Sequence, residues 1–222
     1  MFEMLAAWGQ GCVSCSAPIE STRPGLEGRL CGRCRQDLPT RLGRVEGPGF
    51  VDDAWCLGPY AGLLGGLVRS AKYGGREDVL VELGRVLAER AACSPLVLGR
   101  GTHAGFAALT TVPSSRAHRL ERGFDAVELL AARLPAALSV PARGALARRG
   151  GAPQAGQTHA ERGRNVRGVY RARGAVTGRW LLVDDVMTTG ATASACALAL
   201  REAGADAVDL LVVAAASGVR TS

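Results

Sequence analysis

The spacing of apolar positions changes period several times along the chain. Phe50 to Tyr60 reads as a strand region. Leu63, Leu64, Leu67, Val68 and Ala71 then recur at helical spacing up to Lys72, and Gly74-Gly75 ends the pattern. A stronger amphipathic helix is predicted from Arg76 to about Ala92, with Val79, Leu80, Leu83, Val86 and Leu87 on one face. Phe106 to Val112 is a short apolar run stopped by Pro113, which predicts a buried strand. Gly123 to Leu134 has helical spacing, and Ala145 to Arg148 reads as a short strand. The pattern is sharpest near the end: a strand over Arg179 to Val183, a helix over Thr192 to Ala203 closed by Gly204, and a strand over Ala207 to Ala215. Strands alternating with helices predict an α/β fold, a parallel sheet flanked by helices with ligands at the carboxyl ends of the strands.

The first fifty residues do not fit this pattern. Residues 10–49 are dense in Gly, Pro, Arg and Ser and poor in large apolar side chains, so burial alone could hardly offset their ordering entropy. A crosslink is needed, and the cysteines supply one. Cys12-Val-Ser-Cys15 and Cys31-Gly-Arg-Cys34, fifteen residues apart, match a zinc ribbon in which two knuckles each give two thiolates to one ion. Two incidental or redox C-x-x-C pairs are the competing reading, which the double spacing disfavours. Four thiolates close the tetrahedron, so zinc here would be structural. This divides the chain into a ribbon and linker at 1–48 and an α/β unit at 49–222. Cys56, Cys93 and Cys196 lie in apolar stretches and are expected to be buried small hydrophobes.

Composition adds class and charge. The chain has 222 residues, 47% of them hydrophobic and 21% charged, values of a folded globular protein. Its formal charge is +7, and the surplus is local: between Arg116 and Arg173 twelve arginines face only Glu121, Asp125, Glu128 and Glu161. Such a segment attracts anions, whether nucleic acid, membrane surface or phosphorylated metabolite. Residues 150–168 within it are polar, Gly-rich and Arg-rich, a loop long enough to be functional. Arg143, Arg148, Arg149, Arg164, Arg167, Arg171 and Arg173 read as surface or nucleic-acid-facing. Lys72 is the single lysine, and a phosphate contact and a favourable helix-end charge are equally open for it. His103, His118 and His159 have no spacing that suggests a metal site. The N-terminus lacks the basic and apolar regions of a signal peptide, and the run Leu210 to Ala216 is far short of the roughly 20 residues that cross a bilayer. A cytoplasmic protein without membrane insertion is expected.

The most informative stretch is Trp180-Leu-Leu-Val-Asp-Asp-Val-Met-Thr-Thr-Gly-Ala-Thr192. An apolar strand brings up two carboxylates, Asp184 and Asp185, and a hydroxyl-rich turn then enters a helix. Thr188, Thr189, Gly190, Ala191 and Thr192 can wrap N–H groups and hydroxyls around a phosphate at the helix N-terminus, where the dipole also favours an anion. Asp184 and Asp185 can accept hydrogen bonds from sugar hydroxyls, so the unit reads a ribose 5-phosphate. A solvated acidic strand end does not explain the turn that follows. A Walker B strand fails because Lys72 follows Ala71, where a P-loop needs Gly. No G-x-S-x-G elbow is present.

On these residues the chain resembles the type I phosphoribosyltransferases, which bind phosphoribosyl pyrophosphate (PRPP) on such a strand, acidic pair and turn. With the ribbon it is similar to the ComF/ComFC family of competence-associated, phosphoribosyltransferase-like proteins, over nearly its whole length. Further marks are Lys72-Tyr73-Gly74, Val112-Pro113, Arg116, Arg119, Arg122-Gly123-Phe124, Gln154, Arg162, Asn165 and Val169-Tyr170. Two departures are Asp125, where the family usually has Asn, and Tyr170, near its usual Phe. The first puts a negative charge beside the presumed diphosphate loop.

The resemblance implies a type I phosphoribosyltransferase-like sheet behind a small zinc ribbon, and PRPP as ligand. Lys72, the acidic pair and the Thr188–Thr192 turn would bind PRPP, with catalysis on Asp184, Asp185, Arg116, Arg119 and Arg122. The three arginines after Val112-Pro113 would meet the departing diphosphate together with Mg2+. Gln154, Arg162 and Asn165 would belong to a lid that excludes water. Phosphoribosyl transfer to an unidentified acceptor, linked to DNA uptake, is one implied activity. The other is a non-catalytic scaffold that contacts single-stranded DNA or a DNA-translocating competence helicase. The two aromatic residues of the basic segment, Phe124 and Tyr170, give little basis for a base-stacking platform.

Overall fold

The computed structural model describes residues 11–19, 29–94, 105–115, 119–120, 122–149 and 168–216. Its named elements, in chain order, are α1 (Gly32–Gln36), β1 (Gly43–Val45), β2 (Ala54–Pro59), α2 (Gly62–Tyr73), α3 (Glu77–Ala92), β3 (Phe106–Thr111), α4 (Ala126–Ala131), α5 (Leu134–Leu138), β4 (Leu146–Arg148), β5 (Tyr170–Ala172), β6 (Arg179–Met187), α6 (Ala191–Glu202) and β7 (Ala207–Ala215). Five strands form one sheet in the order β1-β2-β7-β6-β3. β2, β7, β6 and β3 are parallel, and β1 is antiparallel to β2. β4 and β5 form a separate antiparallel pair.

Alternation along β6 divides the core. Leu181 and Val183 pack with residues of α2 to α5, among them Leu67, Leu83, Leu87, Leu130 and Leu134. Trp180 and Leu182 pack instead with Cys196 and Leu200 of α6 and with Leu146 and Tyr170 of the β4–β5 pair. Both faces are covered, which is why β6 and β7 read as continuous apolar runs. α3 and α4 approach so closely at Gly84 that a Cβ there would lie 2.6 Å from the Leu130 carbonyl oxygen.

The cysteine segment joins this core. Leu30, Leu38 and Leu42 pack into the α2–α5 layer, and β1 extends the sheet beyond β2. Buried Glu82 on α3 accepts the Arg29 backbone N–H at 2.9 Å and pairs with Arg85, and Arg35 of α1 pairs with Glu89 at 2.6 Å. At the amino ends of the central strands, Arg179 bonds to fully buried Asp209 at 2.6 Å and reaches Asp53 at 3.5 Å.

Several expectations need correction. The strand expected from Phe50 starts only at Ala54, because Pro48 to Val51 is a turn with Phe50 at φ +62°. The helix expected over Gly123 to Leu134 is two short helices: Gly123 has φ +81°, Asp125 caps α4, and the chain breaks again before Pro135 in the first turn of α5. β6 continues four residues beyond Val183, to Met187. Cys93 at the end of α3 is exposed, while Cys56 and Cys196 are buried. Among the described residues, no helix is long and apolar enough to cross a membrane.

Candidate functional site

The acidic pair lies within β6, since pairing with β7 runs on from Asp184 opposite Val212 to Met187 opposite Ala215. Successive strand residues alternate in direction, but at this strand end the two carboxyls stay within hydrogen-bonding reach of each other, each with its own further partner. Asp185 meets Lys72 at the end of α2, with Nζ 2.8 Å from Oδ1 and 2.8 Å from Oδ2. Its Oδ1 also accepts the Val186 N–H at 2.6 Å. Asp184 lines a cavity of about 50 Å³ together with Thr188, Thr189, Gly190, Ala191 and Thr192. Burial and the neighbouring Asp185 charge push its carboxyl up to about 8, opposed by the Asp185 N–H that it accepts and by Lys72.

Gly190 makes the turn. Its φ of +73° is left-handed, and a Cβ on it would lie 2.3 Å from Pro48 Cβ. α6 starts at the next residue, whose N–H donates to Thr189 Oγ1 in a long bond of 3.4 Å. Thr188 and Thr189 are exposed, and Ala191 and Thr192 are half-buried. A helix start held by so long a bond and ringed by three threonines suits a phosphate. On the α6 side of Asp184 lie Cys196, Tyr170 and Arg148. Burial and the charges of Cys196 and Asp184 raise the Tyr170 phenol to about 12, against Arg148 and Thr192, which lower it. The Arg148 guanidinium sits 5.9 Å from the Tyr170 ring centroid.

Beyond β3, Asp125 Oδ1 caps α4 by accepting the Val127 and Glu128 N–H groups and also accepts the Ser114 hydroxyl at 2.9 Å. Arg119 lies 3.9 Å from its other oxygen. Asp125 therefore serves as a cap that ties the segment after β3 to α4. Arg119 is exposed and Arg122 half-buried. Arg116, His103, His118, His159, Gln154, Arg162, Arg164, Asn165 and Arg167 lie outside the described residues.

The four N-terminal cysteines come together. Their Sγ atoms lie within 4.8 Å of one another, with Cys15 and Cys31 at 3.6 Å. Tetrahedral zinc with Zn–S of about 2.3 Å needs sulfurs about 3.8 Å apart, so the set fits such an ion. Burial works against the Cys12 thiolate, yet N–H groups of Cys31, Cys15 and Ser14 outweigh it and lower the thiol to about 6. Burial pushes Cys34 up to about 12. Among the described residues this is the one cluster of three or more potential ligands.

Sequence reasoning missed Pro48 and underrated Tyr170 and Arg148. The alternation of Leu146, Arg148 and Tyr170 about the long loop could have pointed to the last two; no local signal pointed to Pro48.

No protein-family model and no curated protein matches the chain. Solved structures similar to it include an allosteric regulatory enzyme of purine biosynthesis, 21% identical with a TM-score of 0.39. Another is glutamine phosphoribosylpyrophosphate amidotransferase from B. subtilis, complexed with ADP and GMP, 23% identical with a TM-score of 0.39. Each match covers 60% of this chain and 25% of the other, so the chain spans about a quarter of their length.

Proposed function

We propose that the carboxyl end of β6 and the turn into α6 bind PRPP, and that the protein is a phosphoribosyltransferase of the type I kind acting on an acceptor that no motif names. One observation carries the reading: Asp184 shares a small cavity with the Thr188–Thr192 turn at the start of α6. The turn would hold the 5-phosphate through N–H groups and threonine hydroxyls. Asp184 and Asp185 would accept from the ribose hydroxyls, with Asp185 oriented by Lys72. Arg116, Arg119 and Arg122 would meet the diphosphate, because a guanidinium fork suits phosphate oxygens. The donor set suits Mg2+ only with the substrate's help: two adjacent carboxylates, one engaged by Lys72, leave its remaining positions to diphosphate oxygens and water. When bound there it would neutralise charge on the leaving group. Gln154, Arg162 and Asn165 would close over the sugar, and zinc on Cys12, Cys15, Cys31 and Cys34 would order the N-terminal ribbon.

Calorimetry with PRPP and Mg2+ tests this. At pH 8.5, above the Asp184 value of about 8, Asp184→Asn with Asp185→Asn should weaken binding at least tenfold, since hydrogen bonds to a charged acceptor are worth about 1.5 to 3 kcal/mol each. Unchanged affinity in a folded double variant makes the pair a structural strand end.

A second reading has its own observation. Arg143 and Arg173 line a groove of about 670 Å³, and Arg149, Arg171 and Arg173 line an adjoining one of about 750 Å³ between β5 and α6. A single-stranded DNA backbone fits such a surface, as part of a competence scaffold acting with a helicase. Replacing Arg149, Arg171 and Arg173 with Ala should flatten the salt dependence of DNA binding and spare PRPP binding.

A further inference from the structure

The segment Glu46–Asp52, between β1 and β2, runs along α6. A Cβ on Gly49 would lie 3.4 Å from Ser194 Oγ. The Phe50 carbonyl accepts from Arg201 Nε at 3.1 Å, and Asp52 pairs with Arg201 at 2.5 Å. The Val51 N–H closes the turn onto the Pro48 carbonyl at 3.2 Å, which leaves Phe50 in its left-handed conformation. A bulky residue stays there only where surrounding contacts over-determine it. The result is a strap with both ends tied: β1 holds one in the sheet, and Arg201 holds the other on α6.

Pro48 is where the strap meets the phosphate turn. Its Cβ lies 2.3 Å and its Cγ 2.7 Å from where a Cβ on Gly190 would stand, so the ring rests directly on the Gly190 α-carbon. Glycine adopts φ of either sign with similar ease, so the left-handed state that opens α6 has to be selected by what surrounds it. We propose that Pro48 is a positioning residue for the phosphate turn. Its ring fixes Gly190 and so sets the direction of the first N–H groups of α6, with the anion taking over the Ala191 N–H from its long bond to Thr189 Oγ1. This rests on the PRPP reading above. It makes the strap leaving the cysteine segment the back wall of a site whose front is built 140 residues later.

The test uses the full chain with two readouts: amide hydrogen exchange of residues 188–192 without ligand, and calorimetry with ribose 5-phosphate. Pro48→Gly should speed exchange in that turn and weaken ribose 5-phosphate binding about tenfold, the loss of roughly one charge-assisted hydrogen bond. Pro48→Ala keeps the nearer contact atom and should fall between. Gly190→Ala should bind poorly, and adding Pro48→Gly to it should restore part of the affinity, because the ring that the new methyl meets is gone. The rescue reports the steric contact itself, and the exchange of residues 188–192 together with ribose 5-phosphate affinity in Pro48→Gly reports the positioning. Unchanged exchange at 188–192 in Pro48→Gly, or a double variant no better than Gly190→Ala, overturns the proposal. If Pro48→Gly does not fold, unchanged exchange in Pro48→Ala does the same. A wild-type chain that binds no ribose 5-phosphate ends the PRPP reading, and the exchange arm then decides the role of Pro48 alone.

Discussion

The cysteine cluster and the phosphate turn are both small sites made by short segments, but they are built from opposite materials. The cluster is made of side chains: four sulfurs converge from segments otherwise poor in core residues. The turn is made of backbone, and its central residue is one with no side chain, pressed against a proline. A site of the first kind is lost by removing atoms. One of the second kind is lost by adding one.

The largest effect should come from the cluster. The metal-bound chain should contain one zinc, and a quadruple Cys→Ser variant should lose protease resistance in residues 11–42, since apparent binding free energies of roughly 10 kcal/mol or more become folding free energy in such sites. The loss should extend to β1, which leads from the ribbon into the sheet. Equal protease resistance in the variant, or a purified chain without stoichiometric zinc, would break the contrast by showing a segment that folds on packing alone.

Gly190→Ala is the mirror experiment. One methyl brings the cost of a left-handed residue, about 1 kcal/mol, and an overlap with Pro48 that something must move to relieve. Thermal unfolding should fall by roughly 4–8 °C, taking about 2 kcal/mol at 2–4 °C per kcal/mol for a chain of this size. A normal melting temperature would mean that the turn is looser than its geometry.

These two sites also differ in how far the sequence discloses them. The cysteine spacing is covalent arithmetic, so Cys12, Cys15, Cys31 and Cys34 could be paired off before any fold was known. β7, α3 and the turn after β6 were legible because apolar period and glycine act locally. What escaped depends on distant partners. That Asp184 and Asp185 belong to the strand and not to the turn follows only once β6 is known to run on to Met187, and pairing with β7 decides that. The Lys72–Asp185 pair joins residues 113 positions apart. β1 has three residues and takes its conformation from β2. Pro48 reads as an ordinary turn proline until α6 is placed beside it.

An effect that depends on pH should come from Asp184, the one side chain that lines the backbone site with a raised pKa. Its folded-state value of about 8 lies above the unfolded value near 4, so the native state favours the neutral carboxyl. The stabilisation is complete below about pH 4, declines as pH rises, and is lost above about 8. Asp184→Asn is neutral throughout. Without ligand it should melt like wild type near pH 4 and above wild type at pH 8.5. Melting curves that stay parallel across this range would mean that Asp184 sits in a wetter place than its burial implies.

The smallest effect belongs to the segment after β3, where side chain and backbone share the work. Asp125 accepts two N–H groups at the start of α4 and the Ser114 hydroxyl, and Asn offers the same carbonyl-type oxygen for all three. The two residues are near-equal helix caps, whereas Ala removes the cap at a cost of about 1 kcal/mol. Asp125→Asn should therefore leave thermal unfolding within about a degree of wild type, and Asp125→Ala should lower it by roughly 2–4 °C. The charge is the only property that Asn gives up, and Arg119 at 3.9 Å is the group that feels it. With Arg119 exposed, Asp125 largely buried and 3.9 Å between them, the pair is worth about 1 kcal/mol, so releasing Arg119 should tighten PRPP binding by about fivefold. If Asp125→Asn destabilises as much as Asp125→Ala, the carboxylate charge, and not the cap, holds this segment against α4.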